Sequence, residues 1–185
     1  MQFIIAGVGG QGILFASRVL GHVALSRGLH VNGSEVHGMS QRGGSVISHF
    51  KVGDYASPLV KAGEADVLLA FEQAEGLRNI HFLREGGLAV LNTDRPEVLA
   101  DPDLEAFLRG RKIRLQALSG YDLLRKEMGG RFLFLNALVL GALAASGACG
   151  FSAGELREAV GVLAPARFRD DNLKAFDLGL GALKA

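Results

Sequence analysis

QFIIAGVGGQG, residues 2–12, sets an apolar run directly against a glycine-rich turn. QFIIA (2–6) is short and stops at glycine, the pattern of a buried strand. GVGGQG then fits G-x-G-x-x-G at Gly7, Gly9 and Gly12. Residues 12–27 follow as a helix, with Ile13, Leu14, Ala16, Val19, Leu20 and Val23 spaced to cover one face. A glycine turn between strand and helix suits an anion. Glycine lets the backbone approach closely, and the free N–H groups of the first helical turn point outward with the helix dipole behind them. The same glycines also suit a turn that needs small residues for steric reasons alone. On the sequence, both readings stand.

The alternation continues outward from this stretch. HVNGSEV (30–36), SVISHFKVG (45–53), ADVLLAFE (65–72), GLAVLNT (87–93) and KIRLQAL (112–118) read as strands. Helices are expected after residue 72 through about residue 84, and over 95–108 and 119–128. From residue 131 onward everything reads as helix: one long apolar helix, then 152–163, then 171–183. Strands alternating with helices give an α/β fold with three layers: an open, mainly parallel, Rossmann-like sheet with helices on both faces and a helical C-terminal third. No linker or internal repeat divides residues 1–185, so a single domain is expected.

Composition narrows the function. Lys+Arg at 20 against Asp+Glu at 19 leave a net charge of +1, which excludes a general field for nucleic acid or an anionic membrane. Any bound anion must be held by local geometry. The one cysteine, Cys149, can form no internal disulfide and cannot supply the four thiolates of an iron–sulfur cluster, so a reducing, cytoplasmic setting is expected. The N-terminus lacks the basic region of a signal peptide. FLFLNALVLGALAASGACGF (132–151) is long enough for a membrane span, but Asn136, the Ser146–Gly147 pair, Gly150 and the absence of Trp or Tyr anchors argue for a buried helix instead. So long an apolar stripe is hard to cover within 185 residues, so part of it (132–148) is expected to face another subunit.

A second passage carries chemistry. SEVHGMSQRGGS, residues 34–45, leaves the second strand at the sheet edge from which GVGGQG leaves the first. In open α/β sheets that edge is where ligands bind. Arg42 adds a planar fork matched to phosphate or carboxylate, and His37 is the candidate proton donor; a surface loop of chance polarity is the other reading. An NAD enzyme would also want an acidic residue about 20 positions after the glycines. Glu35 comes 28 residues after Gly7, and Gln11 is unusual at its place, so a free-standing NAD(P)- or FAD-dependent oxidoreductase, or a nucleotide-binding module, is the alternative. The five histidines show no metal-ligand spacing. Glu64, Asp66, Glu72 and Glu75 are expected as solvated carboxylates at a strand end, and ARFRDDN (166–172) as a helix start capped by Asp170 or Asp171.

GVGGQG, SEVHGMSQRGGSV and EADVLLAFE, in that order, with RFLFLNALVLGAL and NLKAF later, resemble the gamma-type domain of the 2-oxoacid:ferredoxin oxidoreductases over nearly the whole chain. HGMSQRGG stands where pyruvate-type relatives tend to carry a Tyr-Gly-Pro version, which favours the indolepyruvate branch. The resemblance implies one gamma-type domain over 1–185, in an enzyme that converts an arylpyruvate, coenzyme A and oxidised ferredoxin to aryl-acyl-CoA, carbon dioxide and reduced ferredoxin. It places thiamine diphosphate and the iron–sulfur clusters on a larger alpha subunit and leaves this chain inactive alone, with no cofactor bound stably and coenzyme A near it. The chain also lacks the Gly-Asp-Gly and following asparagine of a thiamine diphosphate motif. Carried over by position as ligand-binding residues are Gly7, Gly9, Gly10, Gln11 and Gly12 from the first loop, and His37, Ser40, Gln41, Arg42, Gly43 and Gly44 from the second. The implied partners are the alpha subunit in a hetero-oligomer and ferredoxin as acceptor of the complex, with a homodimer as the state of the chain alone.

Overall fold

A strand covered on both faces needs two cores, because its side chains alternate between them. The first strand, β1 (Gln2–Val8), meets that demand in the computed structural model, which describes residues 1–38 and 43–183. Phe3 and Ile5 enter one core, Ile4 and Ala6 the other, and all four are fully buried. The remaining strands are β2 (Val31–His37), β3 (Ser45–Val52), β4 (Ala65–Ala70), β5 (Leu83–Asn92) and β6 (Arg114–Leu118). The helices are α1 (Ile13–Ser26), α2 (Gln73–Asn79), α3 (Pro102–Gly110), α4 (Gly120–Met128), α5 (Leu135–Ser146), α6 (Ala153–Leu163) and α7 (Arg169–Ala182).

The sheet order is β2-β3-β1-β4-β5-β6. β1, β4, β5 and β6 run parallel, whereas β3 is antiparallel to both β1 and β2. The sheet is therefore mainly parallel, as expected, with a hairpin added at one side. Helices α1 and α4 to α7 cover the face of Phe3, Ile5, Leu69 and Val90. The opposite face holds Ile4, Leu68 and Ala89 under α3 and the segment around Val60. Three layers result, one of them thicker.

The thick layer explains the apolar run at 132–151. Residues Ala137–Ala144 of α5 are buried within the chain itself, because α7 lies against α5 at backbone distance. A Cβ at Gly179 would stand 1.8 Å from the Leu138 carbonyl oxygen, and one at Gly141 would stand 2.0 Å from that of Phe176. Small residues let the two helices touch, so Ala137–Ala144 need no second subunit to cover them, whereas Phe132 and Leu133 at the start of the run stay exposed. The expectation of an interface over 132–148 is thereby corrected for residues 137–144. Among the described residues no helix is long and apolar enough to cross a membrane.

Four local readings also change. Leu14 is 44% exposed, since it turns away from the sheet at the start of α1. The helix expected over 95–108 is broken at Pro102, with a 3-10 turn at Pro96–Ala100 and Asp101 capping α3 through the N–H groups of Asp103 and Leu104, each at 3.0 Å. β5 begins at Leu83, which pairs with Ala65 ahead of a register shift, so the helix before it is shorter than expected. Neither Asp170 nor Asp171 caps α7; both lie in its first turn, and Asp171 takes a two-pronged pair from Arg131 at 2.6 and 2.7 Å.

Overpacking costs about 1–3 kcal/mol where side chains can yield, and at Gly179 the neighbour is backbone. Gly179→Ala should lose at least about 2 kcal/mol, seen as a fall of about 4–8 °C in Tm. An unchanged melt would show that α5 and α7 do not meet at this distance.

Candidate functional site

β1 ends at Val8, whose register partner is Ser45, the first residue of β3. The residues flanking this pair bond as well: Gly9 N–H donates to the Gly44 carbonyl at 2.9 Å, and Gly38 N–H donates to the Ser45 carbonyl at 2.8 Å. The topology makes this meeting inevitable. β2 and β3 form an antiparallel hairpin laid beside β1, so its 38–44 turn emerges at the edge where the parallel strands end. The structure thus brings together the two glycine loops that the sequence placed at one edge.

Within the first loop the glycines divide by role. Gly7 is small because its neighbours are close: a Cβ there would lie 2.6 Å from Gln11 Oε1. Gly12 caps α1 at φ +84°, and a Cβ there would meet Asn136 Nδ2 of α5 at 2.1 Å. Gly10, at φ +101°, has open space where its Cβ would point. Among the described residues no backbone carbonyl accepts from the N–H groups of Gly10, Gly12, Ile13 or Leu14, which leaves them available at the start of α1. Steric glycine and anion-ready backbone coexist in six residues.

Gln11 is a brace. Its Oε1 accepts from Val8 N–H at 2.9 Å, and its Nε2 donates to Tyr121 Oη at 3.0 Å and to the Phe71 carbonyl at 3.4 Å. One side chain ties the ends of β1 and β4 to α4. Asn92 repeats the device, donating to the Phe71 carbonyl at 3.1 Å and accepting from Gly120 N–H at 2.9 Å. Buried Gln73 ties Thr93 to Arg95 in the same way. Sequence reasoning missed Asn92, Tyr121 and Asn136; the one signal was Asn136, the lone polar residue of FLFLNALVLGALAA.

The second loop is described only at its ends. Gly43 sits at φ +74° with nothing near its Cβ position, and Gly44 holds Gly9. Ser40, Gln41 and Arg42 lie outside the described residues. His37 is exposed, with Nε2 3.8 Å from Glu35 Oε2. Glu35 is not placed as a dinucleotide ribose ligand would be. β3 intervenes between β2 and β1, so Glu35 stands one strand further from the glycine turn than that site requires, in register with Ser48 of β3. A groove of about 540 Å³ runs between α1 and β2–β3, walled by Arg18, His22, Glu35 and Phe50 among others; the glycine turn takes no part in it.

Of the carboxylates expected in solvent, Glu75 is the exception. It is 3% exposed, its Oε2 accepts from Ser45 Oγ at 2.6 Å, and its Oε1 is paired with Arg78. Glu72 caps α2 by accepting from Glu75 N–H at 2.7 Å. His49 is buried against Phe82, and Nδ1 accepts from Val60 N–H at 3.1 Å; burial first, then nearby Lys51, lowers its pKa and keeps it neutral. Burial raises the pKa of Cys149. Among the described residues no group of three or more His, Cys, Asp or Glu could hold a metal.

Known proteins resemble this chain in sequence and fold. The family model described as pyruvate ferredoxin/flavodoxin oxidoreductase matches residues 2–182. Indolepyruvate oxidoreductase subunit IorB of Pyrococcus horikoshii is 37% identical over 200 residues, which cover 99% of this chain and 96% of that protein. The keto/oxoacid ferredoxin oxidoreductase gamma subunit of Geobacter sulfurreducens superposes with a TM-score of 0.74 at 27% identity, over 100% of this chain and 99% of that one. In fold the chain also matches 31% of a longer polypeptide at a TM-score of 0.72 and 20% identity, the 2-oxoglutarate:ferredoxin oxidoreductase of Magnetococcus marinus, with 100% of this chain covered. The chain belongs to the pyruvate ferredoxin/flavodoxin oxidoreductase family.

Proposed function

We propose that this chain is the small subunit of an indolepyruvate ferredoxin oxidoreductase, and that its two glycine loops together hold an anionic part of coenzyme A. The carrying observation is the Gly9–Gly44 hydrogen bond of 2.9 Å. It joins an anion-ready helix start to the loop that contains Arg42, which makes one two-sided cradle from two weak motifs. The identity with the archaeal subunit over almost all of both chains supports the substrate branch. A free-standing dinucleotide enzyme is left without support, because Glu35 is displaced by β3 and the matched relatives are named as subunits.

The reaction converts an arylpyruvate, coenzyme A and oxidised ferredoxin to aryl-acyl-CoA, carbon dioxide and reduced ferredoxin. Thiamine diphosphate and iron–sulfur clusters supply its carbanion and electron chemistry. Neither fits this chain: its one cysteine is buried, and it carries no Gly-Asp-Gly with a following asparagine. Those groups belong on a larger alpha subunit, and ferredoxin accepts electrons from the assembled complex, in the cytoplasm. The small chain's own work is binding and orientation. The N–H groups of Gly10, Gly12, Ile13 and Leu14 donate to phosphate oxygens, Gly10 and Gly43 leave room for backbone approach, and Arg42 adds the cation of the second loop. Gln11 and Gly7 keep the turn in shape, while His37 at the end of β2, and Ser40 and Gln41 after it in sequence, are the remaining candidates of the second passage. Residues 1–185 act as one gamma-type domain.

Two outcomes follow. The purified chain alone should be colourless and without turnover, and mixing it with the alpha subunit should yield coenzyme A-dependent reduction of a viologen dye by indolepyruvate. A bound chromophore or turnover by the chain alone overturns the reading. In the complex, Arg42→Ala should raise the KM for coenzyme A about tenfold to a hundredfold, the worth of a charge-assisted hydrogen bond, and Arg42→Lys should recover only part because an ammonium lacks the fork. Normal assembly with unchanged kinetics for both substrates would remove the loop from the ligand site.

A further inference from the structure

We infer that Glu75 is a positioning residue for the ligand site: through Ser45 it fixes the base of the 38–44 loop against the glycine turn. The inference rests on the proposal that these loops bind coenzyme A.

Ser45 is where the two loops meet. Its backbone pairs with Val8, the last residue of β1, and its carbonyl accepts from Gly38 N–H at 2.8 Å, which closes the hairpin. The next residue back, Gly44, accepts from Gly9. The Ser45 side chain adds a third tie, its hydroxyl donating to Glu75 Oε2 at 2.6 Å. That bond is short and charge-assisted, the stronger kind. It reaches across from the sheet to α2, an element that neither loop contains.

Glu75 is held from every side that the fold offers. Its N–H donates to Glu72 Oε2 at 2.7 Å, its carbonyl accepts from Asn79 Nδ2 at 2.8 Å, and its other carboxylate oxygen pairs with Arg78. Gly76, beside it, lies so close to the sheet that a Cβ would meet Leu91 Cδ1 at 2.5 Å and Ala70 Cβ at 2.8 Å. α2 therefore cannot slide on the strands. Burying a carboxylate is costly unless it is paired and hydrogen-bonded, and a surface helix two turns long has no folding need for one at this point. What the buried charge secures is a rigid acceptor for Ser45. A shift at this anchor moves Gly43 and Gly44, which lead into it, relative to the N–H groups of α1.

The test uses the assembled two-subunit enzyme with indolepyruvate, coenzyme A and a viologen dye. Ser45→Ala should raise the KM for coenzyme A about tenfold, the effect of losing one charge-assisted hydrogen bond, with kcat within about twofold. Ser45→Thr keeps the hydroxyl and should restore the wild-type KM. Glu75→Gln should give a smaller rise, since a neutral acceptor is roughly half as strong. The Ser45→Ala/Glu75→Gln double variant should be no worse than Ser45→Ala alone, because both act through one bond. An unchanged KM in Ser45→Ala, or a fall in Tm and kcat without a change in KM, shows the contact to be merely structural. Failure of Ser45→Thr to restore KM also overturns the role. Arg42→Ala in the same assay separates the two claims: if it raises KM and Ser45→Ala does not, only the positioning role falls; if neither does, the ligand-site reading falls with it.

Discussion

One strand running against the others decides what meets at the edge where the parallel strands end. β3 enters the sheet between β1 and β2, antiparallel to both. A parallel neighbour in that place would begin at the far edge, and its incoming loop would lie a strand length away from the glycine turn. The antiparallel insertion instead delivers the 38–44 turn directly beside Gly9, in register at Val8 and Ser45. The same insertion moves Glu35 away from the turn and so removes the feature on which a dinucleotide reading depends. One topological choice supports the cradle and argues against its rival.

That choice places many backbone groups and polar side chains at a crowded sheet rim, and the chain satisfies them internally. Gln11, Asn92 and Gln73 each bridge the end of one strand to the start of another element. Their shared partners, such as the Phe71 carbonyl, leave little freedom to move one loop without the next. Buried polar networks of this kind fix geometry more than they add net stability, since each bond replaces one to water. Among the described residues, the N–H groups of Gly10, Gly12, Ile13 and Leu14 at the start of α1 are left without a backbone acceptor. A site is defined here as much by what has been tied down as by what remains open.

The sequence made the strands, their number and their edge legible, because apolar runs ended by glycine carry that information locally. Strand order was less visible, although one clue was present. Only seven residues, 38–44, separate β2 from β3, and parallel neighbours need a crossover of a dozen or more residues. Such a connection permits only a hairpin. The burial of Glu75 could not be read from its neighbours, since its partner Ser45 comes from thirty residues earlier. The cover on α5 was equally hidden. It depends on Gly141 and Gly179 meeting across two helices, and spacing within either helix does not reveal that. Gln11 looked out of place for a dinucleotide turn, and the structure supplies the reason: its amide is a strut between strand ends.

The central claim is that two loops act as one ligand site because a backbone bond joins them. Amide hydrogen exchange of the assembled complex, with and without saturating coenzyme A, tests it most directly. Peptides spanning residues 7–15 and 37–46 should gain protection together, because an anion held at the start of α1 steadies both segments through the Gly9–Gly44 bond. Protection of one segment without the other, or of neither while coenzyme A is bound, would contradict it.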